Sequence, residues 1–362
     1  MSTPTENFLA VKPPEAFISL MMSSTSVRFE SMSSTSSIAN YWRHNLTIES
    51  IIYFMDSRLR DVLAFSVGLL VLAYIIWALG PGKIIESVAK TKIELFLLAG
   101  LFYLVNEFIA SLTLKISMGG SLWGIWMTHM RGMLYSNATP GRVGYYYTAF
   151  SISKRTNKST SGNIGLVTLI QGVNFTIKVF LCLAALIYFS TPLASHGSVS
   201  YFLIVSLVPV FIVAVIGLAL YTDVLNKVMG RISLLSRFLV NVELMQKASK
   251  EIELKTLADI VFLALLSWIL MSAQWYFIAH SLGAGIDFVT ALLLQPLLTT
   301  VMFIPLSPAG LGFTEGGGAV LFSILGLGEA SGVTFILLVR FNSILVDSLG
   351  LVDKIRLNKN AP

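Results

Sequence analysis

The feature that most constrains this chain is the length of its apolar runs. Residues 62–79, 93–116, 166–189, 201–221, 257–281 and 333–352 are long hydrophobic stretches with few charges. At about 1.5 Å of helical rise per residue, each is long enough to cross roughly 30 Å of hydrocarbon. Backbone amides in that medium must be paired within their own segment, so the runs read as helices. They are continuous rather than alternating, which excludes a transmembrane β-barrel. Charged residues make up 12% of the chain, about half the share of ordinary soluble domains, and a water-soluble globular enzyme is excluded with them. The expectation is an all-α polytopic membrane helix bundle with about six full spans.

Two further apolar segments are interrupted. Residues 121–138 contain His129 and Arg131, and residues 288–327 are cut by Pro296, Pro305, Pro308 and several glycines. Both read as re-entrant hairpins. Positive charge favours the cytoplasmic side, which places 222–255, 141–158 and the tail after Val352 inside, and the linker 190–200, without Lys or Arg, outside. Both termini are then cytoplasmic. The linker 80–92 resists this, since it would lie outside with Lys83, Lys90 and Lys92. A full span at 121–138 would move that linker inside and the N-terminus outside. The periodicity of Ile232, Leu235, Phe238, Leu239 and Val242 fits an amphipathic helix, either on the inner membrane face or packed on the bundle.

By composition the chain divides into a polar, Ser/Thr-rich tail over 1–60, expected to be disordered, a membrane domain over 61–352, and a short cytoplasmic tail over 353–362. A start at Met55 would also give an ordinary beginning, with Arg58 and Arg60 holding the N-terminus inside. The net charge of +6 comes from residues at span ends and calls for no nucleic-acid partner. Cys182 is the one cysteine, and His44, His129, His196 and His280 are widely spaced, so no disulfide, metal site or catalytic constellation is expected, and no cofactor. A P-loop is also missing from the sequence.

Two short motifs resemble each other. Thr139-Pro140-Gly141-Arg142-Val143-Gly144 and Ser307-Pro308-Ala309-Gly310-Leu311-Gly312 each follow a long span and a shorter apolar segment. Proline and closely spaced glycines interrupt a helix, and such backbone must be buried in protein or line a wet cavity. The positive-charge argument puts the first motif on the inner side and the second on the outer. That is the pattern of an inverted repeat, from which transporter sites are often built. Read singly, each motif is also an ordinary interhelical loop.

With "TPGRVG", "SWILMSAQWYFIAHSLG", "PLSPAGLGFTEGGGAVLFSILGL" and "LLVRFNSILVDSLGLV", residues 62–352 resemble the transmembrane region of the lysylphosphatidylglycerol synthase/flippase family. The resemblance implies a multi-helix fold with re-entrant hairpins and movement of a lipid, often aminoacylated or glycosylated, between leaflets of the cell membrane. The chain departs from the family where Tyr145, Tyr146 and Tyr147 replace an acidic residue after the first motif, and where Gln171 and Asn174 stand in place of a charged pattern on the next span. No soluble aminoacyl-transferase domain follows Val352 in this sequence, so aminoacyl transfer by this chain alone is not expected. The resulting expectation is a flippase-like lipid transporter with membrane lipids as its partners. The alternative is a scaffold for a separate lipid-modifying enzyme or glycosyltransferase.

Polar residues inside the spans are candidates for the lipid path. Gln171, Asn174 and Lys178 share a helical face, and Lys178 sits near mid-span, where a charge costs about 3 kcal/mol on insertion scales. Glu107 and Asp347 are the candidate partners. Arg340 and Asp347 lie two turns apart on the last span. Glu315 could receive a cationic group or, as an N-terminal acid, cap the helix beginning near Gly316. Arg142 could grip a lipid phosphate or simply be an inside-positive charge. Lys178, Arg340 and Asp347 could equally be a structural ion pair and snorkelling chains. Pro140, Gly141, Gly144, Ser307, Pro308, Gly310 and Gly312 complete the candidate site as its backbone. Gln274 and His280 read as packing or interface residues.

Overall fold

The long apolar runs become long helices, and the interruptions become turns, in the computed structural model, which describes residues 70–352 apart from 71, 78, 140, 157–158, 196–198, 233–235, 237 and 304–306. The chain separates after Leu63 into two compact units. The first unit, most of the expected span 62–79, and the tail from 353 onward lie outside the described residues. Everything below concerns the second unit.

The described elements are α-helical, with two short 3₁₀ turns and no strand. In order they are α1 (Pro81–Ala89), α2 (Ile93–Met118), α3 (Leu122–Asn137), a 3₁₀ turn (Val143–Tyr146), α4 (Tyr147–Thr156), α5 (Thr160–Tyr188), α6 (Ser190–Ser195), α7 (Val199–Tyr221), α8 (Val224–Arg231), α9 (Leu239–Lys250), α10 (Leu254–Ser281), α11 (Phe288–Val301), α12 (Phe313–Ile324), α13 (Glu329–Asp347) and a final 3₁₀ turn (Ser348–Leu351). Five helical segments, Ile93–Met118, Thr160–Tyr188, Phe202–Tyr221, Leu254–Ser281 and Glu329–Leu351, are long and apolar enough to cross a membrane. The all-α membrane bundle read from the sequence is the fold.

One element order occurs twice. A long helix, a short helix, a turn, a short helix and a long helix run from α2 to α5 with 26, 16, 10 and 29 residues. The same order runs from α10 to α13 with 28, 14, 12 and 19 residues. Helices of 10 to 16 residues are about 15–24 Å long, too short to cross about 30 Å of hydrocarbon. Residues 141–158, read from sequence as a charged cytoplasmic linker, contain α4, the returning arm of the first hairpin. Its polar sequence YTAFSISKRT hides it from any hydropathy criterion. Instead, α4 is held by packing, with Ala149 and Ile152 buried.

Each hairpin has its own apolar core. Leu114, Met118, Ile125, Ala149, Ile152, Val167 and Ile170 surround the first. Leu294, Leu298, Trp275, Phe322 and Phe335 surround the second, where Trp275 and Phe335 meet edge to face at 5.3 Å. The backbones of α12 and α13 touch at Gly318 and Gly332, where a Cβ on either would run into the other's carbonyl. Small residues permit such contact between membrane helices.

Of the expected amphipathic helix over 232–242, residues 233–235 and 237 lie outside the described residues; α8 ends at Arg231, and Leu239 and Val242 fall on α9. The α9 helix packs on the bundle: a Cβ at Gly165 of α5 would meet the Met245 backbone, and Ser161 Oγ donates to Asn241 Oδ1 at 2.9 Å. That favours the packed reading of this segment.

Candidate functional site

The two Pro/Gly motifs share a left-handed pair at their third and fourth positions and part at the last glycine, where Gly312 has φ 84° and Gly144 lies in the 3₁₀ turn. Aligned residue for residue, Gly141 and Arg142 have φ of 60° and 58°, and Ala309 and Gly310 have φ of 45° and 71°. Two successive left-handed residues are costly for anything but glycine, about 1–2 kcal/mol each. Each turn nonetheless places one non-glycine residue there. Matching bonds close the turns, Arg142 N–H to Thr139 O and Gly310 N–H to Ser307 O, both at 3.2 Å. The two turns touch, with Ala309 N–H donating to Thr139 O at 3.3 Å. The sequence argument placed them on opposite sides of the membrane; the fold brings them into direct contact. Pro140 lies outside the described residues.

The second turn is closed and self-neutralised. Ser307, Pro308, Gly310 and Gly312 are buried, and Ser307 Oγ donates to Leu311 O at 2.9 Å. Glu315 is fully buried. One of its oxygens accepts from Gly312 N–H at 2.7 Å, capping α12, and the other pairs with Arg340 Nη2 at 3.0 Å and Nε at 3.1 Å. Arg340 also donates to Ala309 O at 3.3 Å. The capping reading of Glu315 therefore holds in the geometry. Arg340 serves this turn rather than Asp347.

The first turn is more open and carries unpaired charge. Gly141, Arg142 and Gly144 are half-buried, and Val143 is exposed. Gly144 sits so close to the end of α3 that a Cβ would strike Ser136 N and Tyr135 C; its N–H donates to Thr139 Oγ1 at 3.0 Å. Among the described residues the Arg142 guanidinium meets Met302 Sδ, 3.9 Å from Nη1, and the Phe303 ring at 5.9 Å. Lys178 is buried, and its ammonium faces the rings of Phe303, Phe175 and Trp268 at 4.8, 5.2 and 5.8 Å. The expected pairing of Lys178 with Glu107 or Asp347 is not formed. Among the described residues no carboxylate lies within ion-pair distance of Lys178 or Arg142. Cation–π contacts are worth up to about 2 kcal/mol each when desolvated, so the aromatic box offsets part of the cost of burial but supplies no counter-charge. Phe303 faces both cations.

The carboxylates lie in a neighbouring buried group. Glu107 Oε2 is 3.1 Å from His129 Nε2, a close contact without a hydrogen bond. Asn106 Nδ2 donates to its other oxygen at 3.4 Å. Asp347, fully buried, accepts from Tyr103 Oη at 3.3 Å and from Asn137 Nδ2 at 3.3 Å. The Tyr103 hydroxyl also faces Glu107, and Arg142 lies within electrostatic reach of Asp347, Tyr103 and Lys178.

Of the remaining candidates, Asn174 Nδ2 donates to Ile170 O of its own helix at 3.1 Å, and Gln171 faces Tyr145. Gln274 Nε2 bonds Asn342 Oδ1 at 2.9 Å and Ser343 Oγ at 3.2 Å, and His280 Nδ1 lies 3.0 Å from Tyr276 O, both in keeping with packing roles. Sequence reasoning missed Tyr103, Asn137, Asn342 and Phe303. Tyr103 stands one helical turn before Glu107, a spacing that could have drawn attention to it. The others carry no local signal.

Comparison with known proteins agrees with this architecture. The chain is 24% identical over 188 residues to a UPF0104 membrane protein of Methanocaldococcus jannaschii, covering 51% of this chain and 76% of that one. No solved structure matches the chain. Residues 62–350 match the family described as the lysylphosphatidylglycerol synthase TM region, a span that takes in both hairpins and both turns. The chain therefore belongs to the lysylphosphatidylglycerol synthase transmembrane-region family.

Proposed function

We propose that the protein moves a phospholipid or lipid-linked headgroup between leaflets, with the phosphate held between Arg142 and Lys178 where the two turns meet. The observation that carries this reading is the pair of cations flanking Phe303 with no carboxylate at ion-pair distance among the described residues. A buried charge in a low-dielectric interior is costly until it is paired. A phosphate is the counter-charge that a lipid brings with it, and a guanidinium can bind it through two parallel N–H bonds. Glycine-containing turns with open backbone groups suit a headgroup better than lipid tails. Re-entry of the two hairpins from opposite sides, both termini in the cytoplasm and a cell-membrane location belong to the same proposal.

The test is headgroup-labelled anionic phospholipid in proteoliposomes, with leaflet exposure followed by an impermeant quencher. Wild-type protein is expected to speed exchange between leaflets. Lys178→Met and Arg142→Gln are expected to abolish most of that gain while remaining folded, since an apolar replacement of similar volume removes a desolvation cost. Variants that move lipid as fast as wild type remove the cation pair from the mechanism. A wild-type protein that moves no lipid leaves the scaffold reading.

A further inference from the structure

The buried carboxylates do not serve the cations of the first turn directly, yet they form a chain that ends beside it. His129 of α3, Glu107 and Tyr103 of α2, and Asp347 at the end of α13 are 0–3% exposed. They stand in sequence: His129 Nε2 against Glu107 at 3.1 Å, Glu107 facing the Tyr103 hydroxyl, and that hydroxyl donating to Asp347 at 3.3 Å. His129 Nδ1 and Glu107 Oε2 are buried without a hydrogen-bond partner. Orphaned polar atoms of this kind are rare in folded proteins and call for an explanation. Among the described residues no group of three His, Cys, Asp or Glu side chains is placed to hold a metal ion. A proton is the cation that a carboxyl–imidazole pair and a carboxyl–phenol pair both accept.

The surroundings fix what a proton would do. The charged and titratable neighbours are Arg131 on α3, whose Nε donates to Met127 O and whose Nη2 donates to Thr128 Oγ1, Tyr145 against the His129 ring, Lys178 on α5, and Arg142. Arg340, on the same helix as Asp347, is held by Glu315. Arg142 lies within electrostatic reach of both Asp347 and Lys178. Asn137, which donates to Asp347, ends α3 two residues before Thr139, the residue that accepts the bond from the second turn.

We propose that His129, Glu107, Tyr103 and Asp347 form a proton relay, and that a proton on Asp347 removes a negative charge that would repel a lipid phosphate at Arg142, so that a proton and an anionic headgroup bind together. This rests on the function proposed above and adds the coupling. In the transfer step a proton leaves the Glu107 carboxyl for the Tyr103 oxygen while the Tyr103 proton passes to Asp347. Tyrosine is neutral before and after, and the negative charge has moved from Asp347 to Glu107, away from Arg142. By linkage each ligand must then strengthen the other's binding by the same factor.

Two measurements on the full chain test it. Infrared difference spectra in phosphatidylcholine vesicles need no anionic ligand. They are expected to show a protonated carboxyl band that titrates with pH, vanishes in Asp347→Asn and shifts in Tyr103→Phe. Binding of short-chain phosphatidylglycerol is expected to tighten as pH falls, by up to roughly tenfold per pH unit for one linked proton. Asp347→Asn is expected to bind it at all pH values with that dependence gone. No titrating band, or a band indifferent to Asp347→Asn, overturns the relay. A titrating band with pH-independent binding overturns the coupling. A titrating band with no binding at any pH defeats the lipid-phosphate reading of Arg142 and Lys178 and leaves the proton site in place.

Discussion

The turn at 139–144 and the turn at 307–312 have the same pair of left-handed residues and the same closing bond, yet their charges are met in different ways. In the second, Glu315 caps α12 and pairs with Arg340, which in turn holds the Ala309 carbonyl. In the first, Arg142 occupies one of the left-handed positions itself and, among the described residues, has no carboxylate at ion-pair distance. The arms differ in the same direction. The Asp287 carboxylate caps α11 by accepting from Thr290 N–H at 2.7 Å, whereas Ser121 makes no side-chain cap to α3. One hairpin is tied at both ends by its own side chains. The other leaves cations open. Repetition of a turn does not repeat a role: the satisfied copy supports the fold, and the unsatisfied copy is where a ligand has something to offer.

The largest expected effect separates these two roles. Glu315→Ala removes one partner of a buried ion pair and is expected to cost about 3–5 kcal/mol, whereas Arg142→Gln is expected to change stability by about 1 kcal/mol or less. Thermal unfolding in detergent reads both. Equal losses at the two sites would break the contrast, and a Glu315→Gln/Arg340→Met double variant more stable than Glu315→Ala would sharpen it.

Gly144→Ala comes next. Its Cβ meets the backbone of Tyr135 and Ser136, which cannot swing aside as a side chain could, and overpacking of this kind costs about 1–3 kcal/mol. A fully stable Gly144→Ala protein would mean that the first turn is free to move off α3.

The smallest effect is at Asp287. Its carboxyl is held below the ordinary carboxylate value, first by the Thr290 N–H bond. The stabilisation is therefore present above that ordinary value and is lost as pH falls through the depressed one. Asp287→Ala is expected to cost about 1 kcal/mol at neutral pH and to have less effect in acid, measured by unfolding at the two pH values. Ser121→Ala is expected to cost less than Asp287→Ala. The reverse order would remove the asymmetry between the arms.

The helices and both turn motifs were legible because their signals are local. A run of apolar residues reports its own length, and Pro with Gly reports its own break. The α4 helix was not legible: its residues are polar, and only packing against α3 and α5 makes it a helix. The likeness of TPGRVG to SPAGLG foretold a shared turn, and the family of the chain could be recognised from its own motifs. Which charge meets which was decided by the tertiary structure alone. Arg340 could face Asp347 along its helix or Glu315 across a gap, and Lys178 could have met either of two carboxylates. Asn137 and Asp347 are 210 residues apart. A partner is chosen by a few ångströms in space, where the Coulomb term rises steeply as distance and dielectric fall. Spacing along the chain carries no trace of that distance once two helices are free to pack in more than one register.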